Sequence, residues 1–307
     1  MSDAVLASSE TAIAKGSQSF AAAARLFDRR TREDAVLLYA WCRYCDDVVD
    51  GQTLGHEQQD DFREGQQHRL DLLRQQTARA LQGEQVHEPV FEALRRVVKR
   101  HQIPARHPEE LLTGFEMDVT ERRYETISDT LDYCYHVAGV VGVMMAMIMG
   151  VRDSKTLDRA CDLGLAFQLT NIARDVVEDA RAGRVYLPAE LLARHGVDAI
   201  DPEDMAQRPA LYAAALDLLD LAENYYASAY AGISALPPRS AWAIAAARRV
   251  YRAIGGKLRS GGPAAWDERV TTSKGEKAAL LGLALGDVAR TRLMTHDVPR
   301  VGLWQRS

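Results

Sequence analysis

The chain has 307 residues, 47 % of them apolar and 26 % charged, and carries a formal net charge of -5. This length and composition are typical of a globular protein with a sizeable core, built as one large domain or two small ones. The mild negative charge argues against general affinity for nucleic acids or anionic lipid surfaces. Four cysteines in so long a chain indicate a reducing compartment and not a disulfide scaffold.

The N-terminal part of the chain is predicted to be helical. Its first residues, MSDAVLASSETAIAKG, have neither a basic start nor an apolar run, so no secretory signal is predicted. Thr31 followed by Asp34 predicts a capping box that opens a helix running through Asp50. Residues 58–82 then place leucines among charged residues, as a surface helix does.

The middle of the chain contains its longest apolar run, VAGVVGVMMAMIMGV at residues 137–151. A membrane-spanning helix needs about 20 apolar residues. This shorter, glycine-containing run therefore predicts a buried helix, with Ser128 as its N-cap. Gly139, Gly142 and Ala146 lie at helical spacing. Small residues at these positions favour either the wall of a cavity that admits a chain or close packing of a neighbouring helix.

The remaining helix boundaries are predicted from capping residues and prolines. A helical period runs from Thr156 to about Asp179, and Ser273 is predicted to cap the last helix. Pro89 and Pro108 can each lie in the first turn of a helix, and Pro188, Pro209 and the pair Pro237-Pro238 are expected to separate the later helices. The sequence shows no alternating β segment, fixed-period repeat or low-complexity linker. The predicted fold is a single all-α domain over residues 1–307, with roughly ten helices.

An unusual group of acids ends the first predicted helix in the stretch YAWCRYCDDVVDG. Asp46, Asp47 and Asp50 fall close together, although helix interiors disfavour Asp and like charges one turn apart repel each other. These three residues are called the first acidic motif. The nearby Cys42 and Cys45 form a CxxC pair with no second pair or histidine cluster to complete a zinc site. They are therefore predicted to be helix packing residues.

A second acidic motif, Asn171, Asp175 and Asp179 in QLTNIARDVVED, repeats the pattern later in the chain. Each member is four residues from the next, which places all three on one face of a helix. Asp46 and Asp50 have the same spacing, so each helix offers oxygen atoms about one turn apart. Valine and isoleucine accompany the acids in both segments. Both helices are therefore expected to lie in the interior or to line a cavity.

The acids of the two motifs could form surface salt bridges, but Arg43 and Arg174 are too few to pair with all of them. Buried carboxylates without partners are costly and need cations. Oxygen ligands alone favour Mg²⁺ or Mn²⁺ over zinc, and Mg²⁺ usually takes one or two carboxylates and completes its coordination with phosphate. Two acidic helices facing one cavity therefore predict a metal-bound diphosphate. Its departure would leave a carbocation, which requires dry, apolar walls.

Six segments, in order along nearly the whole chain, resemble the squalene/phytoene synthase family, and within it the bacterial phytoene synthases. They are GSQSF (16–20), YAWCRYCDDVVD (39–50), GFEMDV (114–119), YCYHVAGVVG (133–142), QLTNIARDVVEDARAGRVYLP (168–188) and RRVYRAI (248–254). The resemblance implies an all-α isoprenoid-synthase fold, a helical bundle around a central cavity. It also implies head-to-head condensation of two geranylgeranyl diphosphates to phytoene through prephytoene diphosphate. Mg²⁺ or Mn²⁺ is expected as cofactor, and NADPH is not.

The resemblance also implies roles for individual residues. The implied metal ligands are Asp46, Asp50, Asn171, Asp175 and Asp179. The implied diphosphate contacts are Ser19, Arg43, Arg174 and Tyr251. The aromatic residues expected to line the site, and to act with the four aspartates in catalysis, are Tyr133 and Tyr186. The residues expected to line the tunnel for the prenyl chain are Gln168 and Val140.

One position departs from the family pattern. Many members carry lysine between the two serines of the SxSF segment, where this chain has Gln18. One diphosphate contact is therefore expected to be weaker here or to come from another cation. The candidates for that cation are Lys15, Arg269 and Lys274.

Two alternative functions remain open on the sequence alone. Squalene or dehydrosqualene synthesis from farnesyl diphosphate shares every metal ligand and differs in the depth of the tunnel. A reductive squalene synthase would also need NADPH, and no dinucleotide fingerprint is present. A non-catalytic helical assembly factor of the same fold is the alternative from another class. Such a protein is expected to have lost acids from one or both motifs, and here all five oxygen ligands are present.

The expected partner is an isoprenyl diphosphate, and no nucleic acid is expected. The predicted product is a long hydrocarbon that is insoluble in water. We therefore expect a cytoplasmic protein that can contact the inner face of a membrane peripherally, although no amphipathic anchor is obvious in the sequence. The sequence leaves the oligomeric state and the length of the tunnel undetermined.

Overall fold

All the regular secondary structure among the residues that the structure describes is helical, as predicted. The computed structural model describes residues 5, 6, 9, 23–52, 63–294 and 298–306. The α-helices that can be delimited within them are α1 (Arg29–Asp50), α2 (Gln66–Leu81), α3 (Pro89–His101), α4 (Arg106–Val119), α5 (Ile127–Cys134), α6 (Val140–Ile148), α7 (Ser154–Arg181), α8 (Ala189–Arg194), α9 (Arg208–Gly232), α10 (Pro238–Gly261) and α11 (Lys274–Leu293). A π-helical turn (Tyr135–Gly139) joins α5 to α6, and 3₁₀ turns cover Met205–Gln207, Ile233–Ala235 and Gly262–Trp266.

The start of α1 differs from the prediction. Asp28 is the N-cap, and its carboxylate accepts hydrogen bonds from the backbone N–H groups of Arg30 and Thr31 at 3.1 Å. The predicted capping box between Thr31 and Asp34 is wrong, because Asp34 is fully buried and accepts a hydrogen bond from His101 at 2.8 Å. An acid three residues into a helix is therefore not always a capping residue, since tertiary contacts can bind it first.

The predicted N-cap of the apolar helix is also wrong. Thr126, and not Ser128, caps α5, in a capping box closed by the side chain of Asp129. Ser273 caps α11 as predicted, in a capping box with Glu276. Both caps satisfy backbone N–H groups that have no partner within the helix.

The prolines lie at helix starts, as predicted for Pro89 and Pro108, and the later ones separate helices as predicted. Pro89 and Pro108 lie in the first turns of α3 and α4, and the later prolines lie at the starts of α8, α9 and α10. The surface helix predicted from residue 58 begins at Gln66, after Gly65 with a φ of 72°. Residues 58–62 lie outside the described residues.

The apolar run lies in a continuous helical stretch, Ile127–Ile148, made of α5, the π-helical turn and α6. Among the described residues it is the one stretch long and apolar enough to cross a membrane, and two thirds of it is buried inside the protein. The apolar part is thus longer than the run at 137–151 suggested. The buried fraction favours the role predicted for it, a helix inside the core.

The small residues of this stretch pack against α7. A Cβ atom on Gly142 would overlap the carbonyl oxygen of Ala160, and one on Gly164 would overlap the carbonyl oxygen of Ala138. A Cβ atom on Gly139 would lie 2.6 Å from a leucine side chain of α7. Of the two interpretations of this small-residue face, close helix packing is the one that the structure supports.

The longest helix, α7, runs through the centre of the bundle and packs against α9, α6, α10 and the π-helical turn. The buried apolar side chains form one continuous cluster from Ala24 to Ala284. Cys42 and Cys45 are free thiols, partly and fully buried respectively, which agrees with their predicted packing role.

The C-terminal residues 298–306 return to the N-terminal half of α7. Arg300 donates two hydrogen bonds of 2.8 Å to the carboxylate of Asp162, which is fully buried. The Trp304 ring stacks on Tyr135, with 4.5 Å between ring centroids. This segment therefore covers the end of α7 that is remote from the second acidic motif.

Candidate active site

The two acidic motifs meet at one end of the bundle. Arg184, which follows α7, donates hydrogen bonds to both carboxylate oxygens of Asp50 at the end of α1, one of them at 3.2 Å. Both residues act on Asp118 of α4, since Arg184 lowers and Asp50 raises the pKa of its carboxyl. Three segments that are distant in sequence thus place their charged groups around one site.

The first acidic motif is partly neutralised by Arg43. The guanidinium lies 3.0 Å from the carboxylate of Asp46 and 2.8 Å from that of Asp47. Asp46 keeps 38 % of its side-chain surface exposed. Even so, the surrounding protein and the neighbouring Asp50 raise its pKa to about 7. The Arg43 Nε atom is buried without a hydrogen-bond acceptor among the described residues, so one of its donors is unsatisfied in the free protein.

The second acidic motif lies on one face of α7, as its spacing requires. Asp175 accepts hydrogen bonds from Arg174, one at 2.8 Å, and from Arg269 at 3.4 Å. No side chain among the described residues donates a hydrogen bond to Asp179. Burial, followed by repulsion from Asp175, raises the pKa of Asp179 to about 8. Asp179 is therefore the carboxylate of the pair that would gain most from a cation.

Asp118 lies between two tyrosines of the site. Its carboxylate accepts a hydrogen bond from the Tyr186 hydroxyl at 2.9 Å and from the Tyr133 hydroxyl at 3.2 Å. The two rings are stacked, with centroids 4.7 Å apart and planes at 17°. Tyr124 packs beside both rings. Burial raises the pKa of Asp118 to about 6, although Arg184 and the Tyr186 hydrogen bond act in the opposite direction.

The sequence prediction did not include Asp118 and Arg184. Both lie in segments that carried the family resemblance, GFEMDV and the one ending in GRVYLP, so their position was an available signal. Spacing could not identify them, because neither is one turn from another member of the motifs. Only the fold brings Asp118 to the tyrosines and Arg184 to Asp50.

Tyr251 on α10 lies close to the second acidic motif. Its ring stacks on Phe167, with 4.1 Å between centroids, and burial raises the pKa of its hydroxyl. Arg174 favours and Asp175 disfavours the charged form of this hydroxyl. The structure thus brings Tyr251 and Arg174 to the same side of the site, where the family resemblance expects diphosphate contacts.

The two residues expected to line the prenyl tunnel differ in environment. Gln168 is partly exposed, and its carbonyl oxygen accepts a hydrogen bond of 3.4 Å from Asn171. Val140 has no exposed surface and belongs to the closed core. A tunnel lined by Val140 would require the surrounding side chains to move apart, so this assignment stays a prediction.

The structure distinguishes between the cations that could replace the lysine expected at position 18. Ser19, Gln18 and Lys15 lie outside the described residues. Lys274 begins α11 on the exposed surface. Arg269 contacts both Asp175 and Glu178 at 3.4 Å, so it is the candidate that lies next to an acidic motif.

A cavity of about 210 Å³ adjoins the C-terminal half of α7. Acidic and basic side chains alternate around it, together with one indole ring. Its lining residues are Arg174, Asp175, Val177, Glu178, Arg181, Trp266, Asp267, Glu268 and Arg269. The cavity therefore gives solvent and small charged ligands access to the second acidic motif from the side of Arg269.

The side chains present fit a hard divalent cation such as Mg²⁺ or Mn²⁺ better than zinc. The described residues contain no group of three or more His, Cys, Asp or Glu side chains that converges on one point. The acids occur instead as pairs on α1 and α7, with raised pKa values for Asp46 and Asp179. One or two carboxylates per ion, completed by phosphate and water, are the usual protein contribution to a Mg²⁺ site.

Comparison with known proteins places this chain in one family. The model of the family Squalene/phytoene synthase matches residues 13–276. The chain is 56 % identical over 306 residues to a 15-cis-phytoene synthase of Paracoccus sp. (strain N81106 / MBIC 01143), covering 100 % of this chain and 99 % of that protein. It is 51 % identical over 294 residues to the 15-cis-phytoene synthase of Pantoea ananas, covering 96 % and 95 %.

Solved structures give the same result for the fold. A dehydrosqualene synthase in complex with ligand superposes with a TM-score of 0.81 at 29 % identity, over 93 % of this chain and 97 % of that one. Squalene synthase HpnC from Alicyclobacillus acidocaldarius superposes with a TM-score of 0.74 at 24 % identity, over 84 % and 94 %. The match to the family model, the full-length relatives and the helical bundle agree, and the chain belongs to the squalene/phytoene synthase family.

Proposed function

We propose that this protein is a prenyltransferase that condenses two geranylgeranyl diphosphates head to head, through prephytoene diphosphate, to phytoene. The observation that carries the proposal is the 56 % identity over the full chain to a 15-cis-phytoene synthase. The site supports it, since both acidic motifs are intact and lie beside buried apolar helices. A non-catalytic assembly factor would not need Asp179, which is half-buried and has no side-chain donor among the described residues, to be kept with a raised pKa.

The arginines of the site bind the diphosphate groups in this proposal. Arg43 has a buried donor to spare, and Arg174 and Arg184 already hold carboxylates that metal would compete for. A forked guanidinium matches phosphate oxygens well. When the substrate binds, these arginines can exchange a carboxylate for a phosphate without leaving the site. Tyr251 lies beside Arg174 and adds a hydroxyl donor.

The residues that would hold Mg²⁺ or Mn²⁺ are Asp46, Asp50, Asn171, Asp175 and Asp179. A bound divalent cation would neutralise the diphosphate and so make it a better leaving group. The chain's own contribution is to keep two carboxylate pairs at one end of the bundle. Their mutual repulsion makes the site most favourable when cations are bound.

The stacked tyrosines give the site an aromatic face close to the acids. Tyr133 and Tyr186 are held by hydrogen bonds from their hydroxyl groups to Asp118, which fixes both rings. The face of an aromatic ring attracts cations. We propose that these rings stabilise positive charge on the prenyl chain, and that Asp118 fixes their orientation through the two hydroxyl hydrogen bonds.

Product analysis tests the proposal. The purified full-length protein, given Mg²⁺ and geranylgeranyl diphosphate alone, is expected to release inorganic diphosphate and phytoene. The matched reaction contains farnesyl diphosphate, the substrate of the alternative activity, with and without NADPH. The solved dehydrosqualene synthase of the same fold is the observation that keeps this alternative in the test. A product formed only from farnesyl diphosphate, or only with NADPH, would overturn the assignment to phytoene synthesis.

We also propose that residues 1–307 form one domain, because the buried side chains of the described helices belong to a single cluster. Limited proteolysis measures this directly, since one domain yields no stable internal fragment. Two fragments that each unfold cooperatively on their own would contradict it.

A further inference from the structure

The last two long helices form a basic layer on a protein of negative net charge. Residues 238–294, which contain α10, α11 and the loop between them, include eleven lysines and arginines and four acids, in a chain of net charge -5. α10 alone has six basic residues and no acid. Four of these six pair with acids, Arg249 with Asp287, Arg252 with Glu223, Lys257 with Glu276 and Arg259 with Asp220, and Arg248 is buried. The positive charge that remains at the surface lies mainly on α11, and local charge is what an approaching partner meets first.

The outward half of α11 is apolar. Leu283, Leu285 and Leu293 are 56 %, 51 % and 85 % exposed, and Met294, which follows the helix, is 60 % exposed. The other exposed uncharged residues of the helix are Gly275, Ala278, Ala279, Gly282, Gly286 and Ala289. The inner half of the helix packs on α10, where the Trp242 indole N–H donates to the Leu281 carbonyl at 2.9 Å. An amphipathic helix with an exposed apolar half has the pattern of a docking surface.

The acidic and the basic residues of α11 lie in different environments. Both of its acids are neutralised by α10, since Glu276 pairs with Lys257 at 2.7 Å and Asp287 pairs with Arg249 at 2.7 Å. The exposed charged residues are Lys274, Arg290 and Arg292, and Lys277 is partly exposed. The apolar surface is therefore bordered by positive charge alone.

We propose that this outward half of α11 docks on a lipid bilayer that contains anionic headgroups. The three leucines and Met294 enter the boundary between headgroups and acyl chains, while the lysines and arginines contact phosphate groups. This combination of an exposed apolar face and a cationic border is what an interfacial helix requires. The small residues between the leucines allow the helix axis to lie close to the membrane surface.

Charge also distinguishes a bilayer from a second copy of this chain. A two-fold symmetric dimer through α11 would place the same cationic border on both sides of the interface. Like charges opposed across an interface disfavour association, whereas anionic headgroups are complementary to them. The surface therefore fits a lipid membrane better than its own copy.

The position of α11 suits a reaction with a hydrocarbon product, and this part of the inference rests on the proposed function. α10 lies between α11 and the site, and it carries Tyr251 beside Arg174. A bilayer bound to α11 would be one helix away from the acidic motifs. Phytoene is insoluble in water, so an adjacent membrane provides the phase into which it can leave.

Vesicle flotation tests the inference with the full-length protein. The probes are vesicles of phosphatidylcholine alone and vesicles in which part of it is replaced by phosphatidylglycerol. Wild-type protein is expected to float with the anionic vesicles at low salt and much less with the neutral ones. Raising the ionic strength should weaken the binding, because the cationic border acts through screened charges.

Matched variants locate the surface. Leu283→Gln with Leu293→Gln should weaken vesicle binding about tenfold or more, since two apolar anchors are lost. Lys277→Gln with Arg290→Gln should weaken it by about tenfold at low salt. The control is Leu72→Gln with Met205→Gln, two residues of similar exposure, 46 % and 61 %, on other parts of the surface, which should bind as wild type does.

The outcomes separate this inference from the proposed function. Binding to anionic vesicles without phytoene synthesis would leave the docking surface intact and overturn the function. Phytoene synthesis from detergent-dispersed substrate, with no flotation of wild type, would overturn the docking surface. A loss of flotation in the control variant would also overturn the docking surface. A dimer in light scattering that the α11 leucine variant disperses, together with no vesicle binding by wild type, would overturn it as well.

Discussion

The two ends of α7 carry acids at the same spacing in opposite environments. Near its start, Asp158 and Asp162 are four residues apart, and Arg300 and Arg306 of the C-terminal segment neutralise them. Near its end, Asp175 and Asp179 are also four residues apart, and Asp179 has no donor among the described side chains. The same pattern in one helix therefore serves as a structural ion pair at one end and as a candidate ligand set at the other.

The difference shows what identifies a functional carboxylate. Asp162 is more buried than Asp179, so burial does not separate the two pairs. Hydrogen bonding to cationic side chains does separate them. Asp162 accepts two guanidinium hydrogen bonds of 2.8 Å, whereas the pKa of Asp179 is raised to about 8. A half-buried acid whose pKa stays raised although Arg184 acts to lower it is unfavourable in the free protein, and such acids persist where binding or catalysis requires them.

The largest expected effect is on turnover at the uncompensated end. Asp179→Asn keeps the shape of the side chain and removes its charge, so turnover should fall by roughly 10² or more, as for loss of a key electrostatic group. Steady-state release of diphosphate measures it. Mg²⁺ with inorganic diphosphate should raise the melting temperature of wild type more than that of the variant.

The stability of Asp179→Asn should change in the opposite direction to its activity. The folded pKa of Asp179 is about 8 and its ordinary value 3.8, so the folded protein holds the proton more tightly than the unfolded chain does. The free energy of unfolding of metal-free wild type should therefore fall as the pH rises through this range. In the variant, the free energy of unfolding should not show this fall with pH. A variant that is clearly less stable than wild type at pH 8 yet fully active would contradict the ligand role.

The second largest effect is on stability at the compensated end. Asp162→Asn removes the negative charge and one of the two oxygens that accept hydrogen bonds from Arg300, so the guanidinium loses its charged, buried partner. The free energy of unfolding should fall by about 3 kcal/mol, with turnover per folded molecule kept. Chemical denaturation measures it. Asp158→Asn, at a site with 23 % of the side chain exposed, is the matched control and should cost less. A loss of turnover without a loss of stability would erase the contrast between the two ends.

A third effect is expected between the two ends, where α6 crosses α7. Gly142→Ala places a Cβ atom on the carbonyl oxygen of Ala160, which should lower the free energy of unfolding by about 1–3 kcal/mol. The product should be unchanged, since this face packs against a helix. Gly256→Ala on α10, where a Cβ atom would meet nothing within 4 Å, is the control and should be neutral or slightly stabilising. A shortened product from Gly142→Ala would restore the tunnel interpretation of this face.

The smallest effect concerns the charge state of Asp118. Tyr186→Phe removes a hydrogen bond that lowers the pKa of this carboxyl, so its pKa should rise above about 6. If ionised Asp118 is needed, the acid limb of the pH–rate profile should move to higher pH by up to about one unit. Tyr124→Phe is the matched control, because the Tyr124 hydroxyl is buried without a partner among the described residues. An identical acid limb in the Tyr186 variant and wild type would show that this titration does not limit the rate.

Much of the fold could be predicted because its determinants are local. Proline at helix starts, Ser273 as a cap and the helical period of α7 depend on neighbours in sequence, and the structure agrees with each. The caps at Thr31 and Ser128 were wrong for an equally physical reason. Nearby residues, Asp28 and Thr126, offered the same hydrogen bonds, and local pattern does not rank such competitors.

The site could be predicted only in part. The spacing of Asp175 and Asp179 identified two acids on one face of a helix, because both residues lie in the same helix. Asp118 and Arg184 reach the site through tertiary packing, which leaves no spacing signal. The exposed apolar half of α11 was missed for a similar reason. Its apolar character is visible only once the inner half is known to pack on α10.

The ion pair between Asp162 and Arg300 joins positions 138 residues apart. Protein synthesis proceeds from the N-terminus, so α7 leaves the ribosome long before Arg300 does. Until then the carboxylate of Asp162 lacks the partner that makes its burial tolerable, and the surrounding helices cannot close around it without cost. The final closure of this end of the bundle therefore waits for the last part of the chain. A nascent chain that stops before Arg300 would remain open there, available to chaperones and proteases, while the helices around the acidic motifs could already be in place.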